Sequence, residues 1–269
     1  MKKILFLFTL AITVFILSAC GRDQGVLRVG MDLKYPPFET VDLENNPEGI
    51  SVDIAYAFGE FLGREVEIVN TDFSALIPSL QSGEIDIAIA SMSITATRLE
   101  VVDFSDPYFF FKIITLVNQD FADENGIDQD STVEELLAVE GTKYVGIASQ
   151  VSASIPQTYG KQVTEATDLG TAVESVAQGT SDVLLMSANP VVDGYKANME
   201  TTLVMWDPFV ASPIGMAVQK GNTELLEKAN EFIATFNDEG GLYSVLSSNW
   251  DAVLLERLGR YGLSFYINE

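Results

Sequence analysis

The chain has 269 residues, 47% of them hydrophobic, which suits one or two packed domains and not a disordered segment. Its 15 basic and 39 acidic residues give a net charge of −24, which argues against nucleic acid and anionic lipid as electrostatic partners. There is no histidine and Cys20 is the only cysteine, so imidazole catalysis, internal disulfides and thiolate metal clusters are excluded, and no metal or cofactor is expected.

In chain order, Lys2 and Lys3 precede an apolar run over 4–17 that ends in Leu17-Ser18-Ala19-Cys20-Gly21. A charged start before a short apolar run reads as a secretory signal over 1–20. Leu-Ser-Ala-Cys resembles the lipobox of bacterial lipoproteins, which implies that Cys20 is lipidated and holds the mature chain at the outer face of a membrane. A tether over 21–25 follows, and no later apolar run approaches the ~20 residues of a membrane span.

The tether leads into a strand over 26–31 and a loop in which Pro36 and Pro37 forbid helix. Ile50, Ile54, Phe58 and Phe61 recur at helical spacing up to Gly63, 66–69 reads as a strand, and 73–80 as a short helix capped by Thr71 or Asp72. A buried strand over 85–90 comes next. Strand, helix, strand, helix, strand predicts an α/β unit with a parallel sheet and right-handed crossovers. A second unit begins near Ile113. It has an acidic loop over 121–130, a capping box at Ser131-Thr132-Val133-Glu134, and strands over 144–148 and 183–186. Its helices start at Ser152 and run over 168–178, and Pro190 suits the first turn of another. Strand character returns over 216–218, followed by helices over 223–236 and 243–258.

The strand over 85–90 feeds Ser91-Met92-Ser93-Ile94-Thr95-Ala96-Thr97-Arg98. Hydroxyls and N–H groups at the carboxyl end of a strand, with a guanidinium close behind, make a site for a small carboxylate. The same run also reads as plain helix capping.

Flanking motifs add a family resemblance. Gly30-Met31-Asp32, Tyr35-Pro36-Pro37-Phe38-Glu39, Gly49-Ile50-Ser51-Val52-Asp53 and the run from Leu76 through Gly83 to Asp86 resemble the extracytoplasmic amino-acid-binding proteins of ABC importers. Ser-Met-Ser-Ile-Thr-x-x-Arg, Val-Asp-Phe-Ser-x-Pro-Tyr and the segment from Met216 to Trp250 fit them too. The resemblance implies a two-lobed, periplasmic-binding-protein-like fold of type II, each lobe a mixed, mainly parallel sheet with flanking helices and the ligand in the cleft. Lobe one would comprise 26–111 and 212–269, and lobe two 112–211, with crossings near Phe110-Phe111-Lys112 and Ser212-Pro213-Ile214. It also implies a monomer that captures an amino acid, or a related small carboxylate, and delivers it to a permease without making or breaking a bond.

Carried over residue by residue, the resemblance implies that Arg98 clamps the ligand's α-carboxylate, Ser93 meets the ligand with its hydroxyl and N–H, and Ser91 offers its carbonyl to the α-ammonium. Tyr35, Phe73 and Phe38 would wall the side chain, and Asp32 would meet a polar or cationic one. Each has a plain alternative in core packing or turn formation. In lobe two, Ser152 would cap a helix and bond the carboxylate. At the end of the strand over 183–186, relatives carry an acid for the α-ammonium; this chain has Ser187 and Ala188, with no carboxylate. Either the site is weaker, another acid such as Asp193 substitutes, or the ligand is not an ordinary α-amino acid. Neutral Ala148 stands where some relatives place a selective charge. The fold is shared with dehydratases of cyclic carboxylates, and in that alternative Glu39 or Asp32 would be the general acid.

Overall fold

The apolar runs and their glycine stops produce the alternation expected, in a computed structural model that describes residues 25–259 and 261–268. The signal segment over 1–20, Cys20 and the tether up to residue 24 lie outside the described residues. Lobe one begins with β1 (Leu27–Met31), β2 (Thr40–Val41), β3 (Pro47–Glu48), α1 (Ile50–Leu62) and β4 (Val66–Asn70). It continues with a 3-10 turn at Phe73–Ala75, α2 (Leu76–Ser82), β5 (Ile87–Ala88), α3 (Ala96–Leu99) and β6 (Val102–Phe104). Lobe two holds β7 (Phe109–Asn118), α4 (Gln119–Asn125), α5 (Val133–Ala138), β8 (Tyr144–Ile147), α6 (Val151–Thr158) and β9 (Val163–Ala166). After α7 (Leu169–Ala177), β10 (Val183–Ser187) and α8 (Ala188–Ala197), β11 (Thr202–Ile214) leads back to β12 (Ala217–Gln219), α9 (Thr223–Ala234), α10 (Leu242–Leu258) and α11 (Ser264–Ile267).

The first sheet has the order β4-β1-β5-β12-β6, with β1 parallel to β4 and β5 and β12 antiparallel to its neighbours. The second has the order β11-β7-β10-β8-β9, with β8 parallel to β9 and β10 and β7 antiparallel to β10 and β11. Both sheets are mixed, and the architecture is the two-lobed α/β fold expected. β7 and β11 form a long ribbon, bulged between Met205 and Val210, that runs from Thr202 opposite Asn118 to Ile214 opposite Phe109. Its end reaches the first lobe, where Pro213 accepts the Ile94 N–H at 2.8 Å. Among the described residues no helix is long and apolar enough to cross a membrane.

Several local expectations shift. The acidic loop over 121–130 contains α4, which Asn118 starts by accepting the Phe121 N–H at 3.0 Å and Gly126 ends at φ 67°. The capping box is one residue later than expected, pairing Thr132 with Glu135, because Ser131 bonds back to Asp128. Neither Thr71 nor Asp72 caps the turn at Phe73; Asp32 does, from the end of β1, its Oδ2 accepting the Phe73 N–H at 3.2 Å. The strand expected over 85–90 is paired only across Ile87–Ala88. β11 escapes the sequence pattern because Asp207, Pro208, Ser212 and Pro213 interrupt its apolar run. Its edge position tolerates those prolines.

The core continues from one lobe to the other. Phe38 packs 4.6 Å from Phe111 and 5.1 Å from Tyr266, ring centre to ring centre, so α11 closes the back of the ribbon. α10 packs on both α1 and α8, and Arg257 pairs with Asp193 at 2.6 Å. Gly49, at φ 131°, sets the approach of α1 to the Tyr35–Glu39 loop, since a Cβ there would lie 2.3 Å from the Phe38 carbonyl oxygen. Gly49→Ala is therefore expected to cost more than ~2 kcal/mol in urea unfolding, the scale of combined strain and steric overlap. A loss within ~0.5 kcal/mol would contradict this packing.

Candidate functional site

The loops that follow β1, β5, β8, β9 and β10 converge on a cavity of about 340 Å³. Carboxyl ends of parallel strands gather exposed backbone groups and loop side chains, which is why such crevices hold ligands. Lobe one supplies Asp32, Tyr35, Glu39, Phe73, Ser91, Ser93 and Arg98, and lobe two Ile147, Ala148, Gln150, Met186 and Ser187.

Arg98 reaches the cavity because Thr95 caps α3, accepting the Arg98 N–H at 3.3 Å and fixing the side chain in the first turn. The residue is 9% exposed. Its Nη1 donates to the Ser93 carbonyl at 2.8 Å and its Nη2 to the Ser149 carbonyl at 2.9 Å, one from each lobe. The Phe73 ring lies 5.1 Å from its Cζ, close enough for a cation–π contact. Burial alone lowers its pKa, to about 10, and no carboxylate among the described residues offsets that. A desolvated guanidinium with spare donors and no counter-anion is stabilised most by a carboxylate accepting two hydrogen bonds.

The buried acids of the cavity come from lobe one. Glu39 is 2% exposed, and its Oε2 accepts the Ser91 hydroxyl at 2.9 Å. Burial pushes its pKa up to about 8, against which Ser51 and Ser91 act only in part. Asp32 is raised as well, by burial first, with Lys34 opposing; its Oδ1 has no hydrogen-bond partner and lies 3.7 Å from the Lys34 ammonium. Ser91 and Ser149 take left-handed backbone conformations at φ 50° and 66°. Such conformations are uncommon outside glycine and turn the chain sharply at the cavity wall.

Tyr35 stacks on Phe111 at 6.4 Å, and its hydroxyl bonds the Ser187 hydroxyl across the cavity. Burial raises the Tyr35 phenol well above its ordinary range, so it stays neutral. Ser187 ends β10 and begins α8.

Of the residues singled out from the sequence, Arg98, Ser93, Ser91, Tyr35, Phe73, Asp32 and Ser187 line the cavity together. Phe38 does not: it is fully buried behind the wall, against Phe109, Phe111 and Tyr266. Ser152 is also placed elsewhere, because α6 is entered at Gln150, which leaves Ser152 inside the helix with its Oγ accepting the Ile147 N–H at 2.9 Å. Asp193 pairs with Arg257 outside the cavity lining. Gln150 and Asp168 line the cavity without having been singled out; only their places just before helices could have marked them. Among the described residues no group of His, Cys, Asp and Glu could hold a metal ion.

Comparison with known proteins adds to this geometry. The family described as bacterial extracellular solute-binding proteins, family 3, matches residues 27–251. The chain is 28% identical over 231 residues to the L-cystine-binding protein TcyJ of Escherichia coli (strain K12), covering 85% of this chain and 84% of that protein. Among solved structures it resembles an ancestral arginine-binding protein bound to arginine, at TM-score 0.69 and 31% identity, covering 84% of this chain and 98% of the other. It also resembles the ancestral amino acid-binding protein AncCDT-1, a precursor of cyclohexadienyl dehydratase, at TM-score 0.69 and 28% identity, over 83% and 94% of the two chains.

The Glu39 pKa, raised from 4.5 to about 8 on folding, links stability to pH. Its contribution is fully present below the unfolded value and is lost as pH rises through about 8. Urea unfolding of the unliganded protein is expected to need less denaturant at about pH 8 than at about pH 5. Glu39→Gln should flatten most of that slope, and a variant with the wild-type slope would contradict the assignment.

Proposed function

The chain belongs to the bacterial extracellular solute-binding proteins, family 3, and from that premise we propose that it captures one amino acid between its lobes and hands it to the permease of an ABC importer. The observation that carries this reading is Arg98, a buried cation facing the cavity with which no carboxylate among the described residues is paired. The two carbonyls and the Phe73 ring offset part of its desolvation, and a bound anion would supply the missing charge partner. The relatives named for cystine and arginine support an α-amino acid as that anion.

In this reading the carboxylate lies on Arg98 and Ser93, the side chain runs between Tyr35 and Phe73, and Asp32 meets a polar or cationic end. Lobe one, 26–111 with 212–269, closes on lobe two, 112–211, about the β7–β11 ribbon. The mature protein is a monomer, exported by the signal over 1–20 and held outside the cell by lipid on Cys20. One observation favours a dehydratase instead: Glu39 is a buried acid protonated near neutral pH, in a fold shared with a dehydratase precursor. The absence of any histidine and the family of the chain favour capture.

Scanning fluorimetry against the proteinogenic amino acids and L-cystine should give a saturable rise in Tm with at least one of them. Arg98→Ala should weaken that ligand by about 100-fold or more, the scale of breaking a buried charge pair. No shift with any amino acid at millimolar concentration would reject the reading, and loss of water and carbon dioxide from prephenate, abolished in Glu39→Gln, would replace it with the enzyme. For the anchor, Cys20→Ser should move the protein from the membrane fraction to the medium.

A further inference from the structure

Lobe two offers an amino acid in the cavity a single carboxylate, Asp168, which is solvent-exposed and committed to capping α7. Ser187 is neutral and bonds Tyr35, and Asp168 is held at the rim by Thr167 and by the Thr171 N–H and hydroxyl, in water that screens its charge. An α-ammonium brought in beside Arg98 needs a partner, because an unpaired ammonium in a desolvated site is strongly unfavourable.

Glu39 is placed to be that partner. Glu39 is among the residues that line the cavity, and its carboxylate is bonded by Ser91, two residues before Ser93, whose carbonyl holds Arg98. The groups that face it are Ser51 at the start of α1, Ser91 after β5, Asp32 after β1, and the phenols of Tyr35 and Tyr108; none is a cation. Asp32 is tied to the Phe73 N–H and has Lys34 beside it, so Glu39 is the acid of the pair that lacks a protein cation.

Resting on the amino-acid reading above, we infer that Glu39 is the counter-ion of the ligand's α-ammonium, so that lobe one holds both charges of the amino-acid head and binding expels a proton from Glu39. The empty site is mostly protonated at neutral pH, since burial pushes Glu39 up to about 8. A bound ammonium favours the carboxylate, and the proton leaves to solvent. Affinity therefore rises with pH up to about 8 and levels off above it. Burial raises both phenols, so neither titrates in that range.

The test is isothermal titration calorimetry with the tightest binder of the fluorimetry panel, in phosphate and in Tris. The comparison ligand is its desamino analogue, 5-guanidinopentanoate for L-arginine or 3,3′-dithiodipropionate for L-cystine. The wild type should release up to about one proton per ligand at neutral pH and gain up to about tenfold in affinity per pH unit below pH 8. Glu39→Gln should bind at least about 30-fold more weakly, without proton release or pH slope, and adding Ser187→Asp should restore part of the loss. Asp32→Asn should keep the proton release. The desamino analogue should bind the wild type weakly and respond little to Glu39→Gln. Buffer-independent heats in the wild type, or Glu39→Gln within about threefold of it, would overturn the counter-ion assignment and leave amino-acid capture standing. A panel without any binder would overturn both. The wild-type buffer comparison decides even if Glu39→Gln fails to fold.

Discussion

The organisation of the cavity depends on a desolvated guanidinium held by one carbonyl from each lobe. Arg98 bonds Ser93 on its own side and Ser149 on the other, so one charge spans the cleft. Hydrogen bonds from a charged donor exceed neutral ones, yet two neutral carbonyls leave the charge itself uncompensated. The surroundings answer to that. Phe73 covers one face of the ion, Thr95 fixes its helical turn, and left-handed backbone at Ser149 turns a carbonyl towards it.

The lobes contribute unequally. Lobe one brings the buried cation Arg98, Lys34, the carboxylates Asp32, Glu39 and Asp72 and both aromatic walls, whereas lobe two brings mostly apolar side chains and hydroxyl or amide groups, with Asp168 as its single carboxylate. Closing a mostly neutral face over a charged one excludes water and strengthens the charge interactions already in place. The contact between Tyr35 and Ser187 has the same character, a neutral bond across the cavity that aligns the two halves.

Much of this was legible in the sequence where function and local structure share residues. Thr95 and Arg98 are set by one helical turn after one strand, so spacing alone brings Arg98 to the cavity. Burial at a distance was not legible. Phe38 reads as a site residue from its motif, but Phe109, Phe111 and Tyr266, far along the chain, enclose it. Glu39 reads from the sequence as a candidate general acid only in the dehydratase alternative, and its burial, which raises its pKa, is not visible in the local sequence. Ser152 was misplaced by two positions of helix entry, and a hydroxyl inside the first turn points to its own strand rather than outwards. α4 was hidden because its residues are acidic and its cap, Asn118, lies at the end of a strand.

The edge strand β11 carries a different lesson. Thirteen residues long, it would be an inviting template for a strand from another molecule, since one side of its backbone has no partner in the sheet. Pro208 and Pro213 remove donors from it, and the bulge between Met205 and Val210 bends it out of register. The irregularity that hides this strand from pattern reading also makes this edge of the sheet a poor template for a further strand.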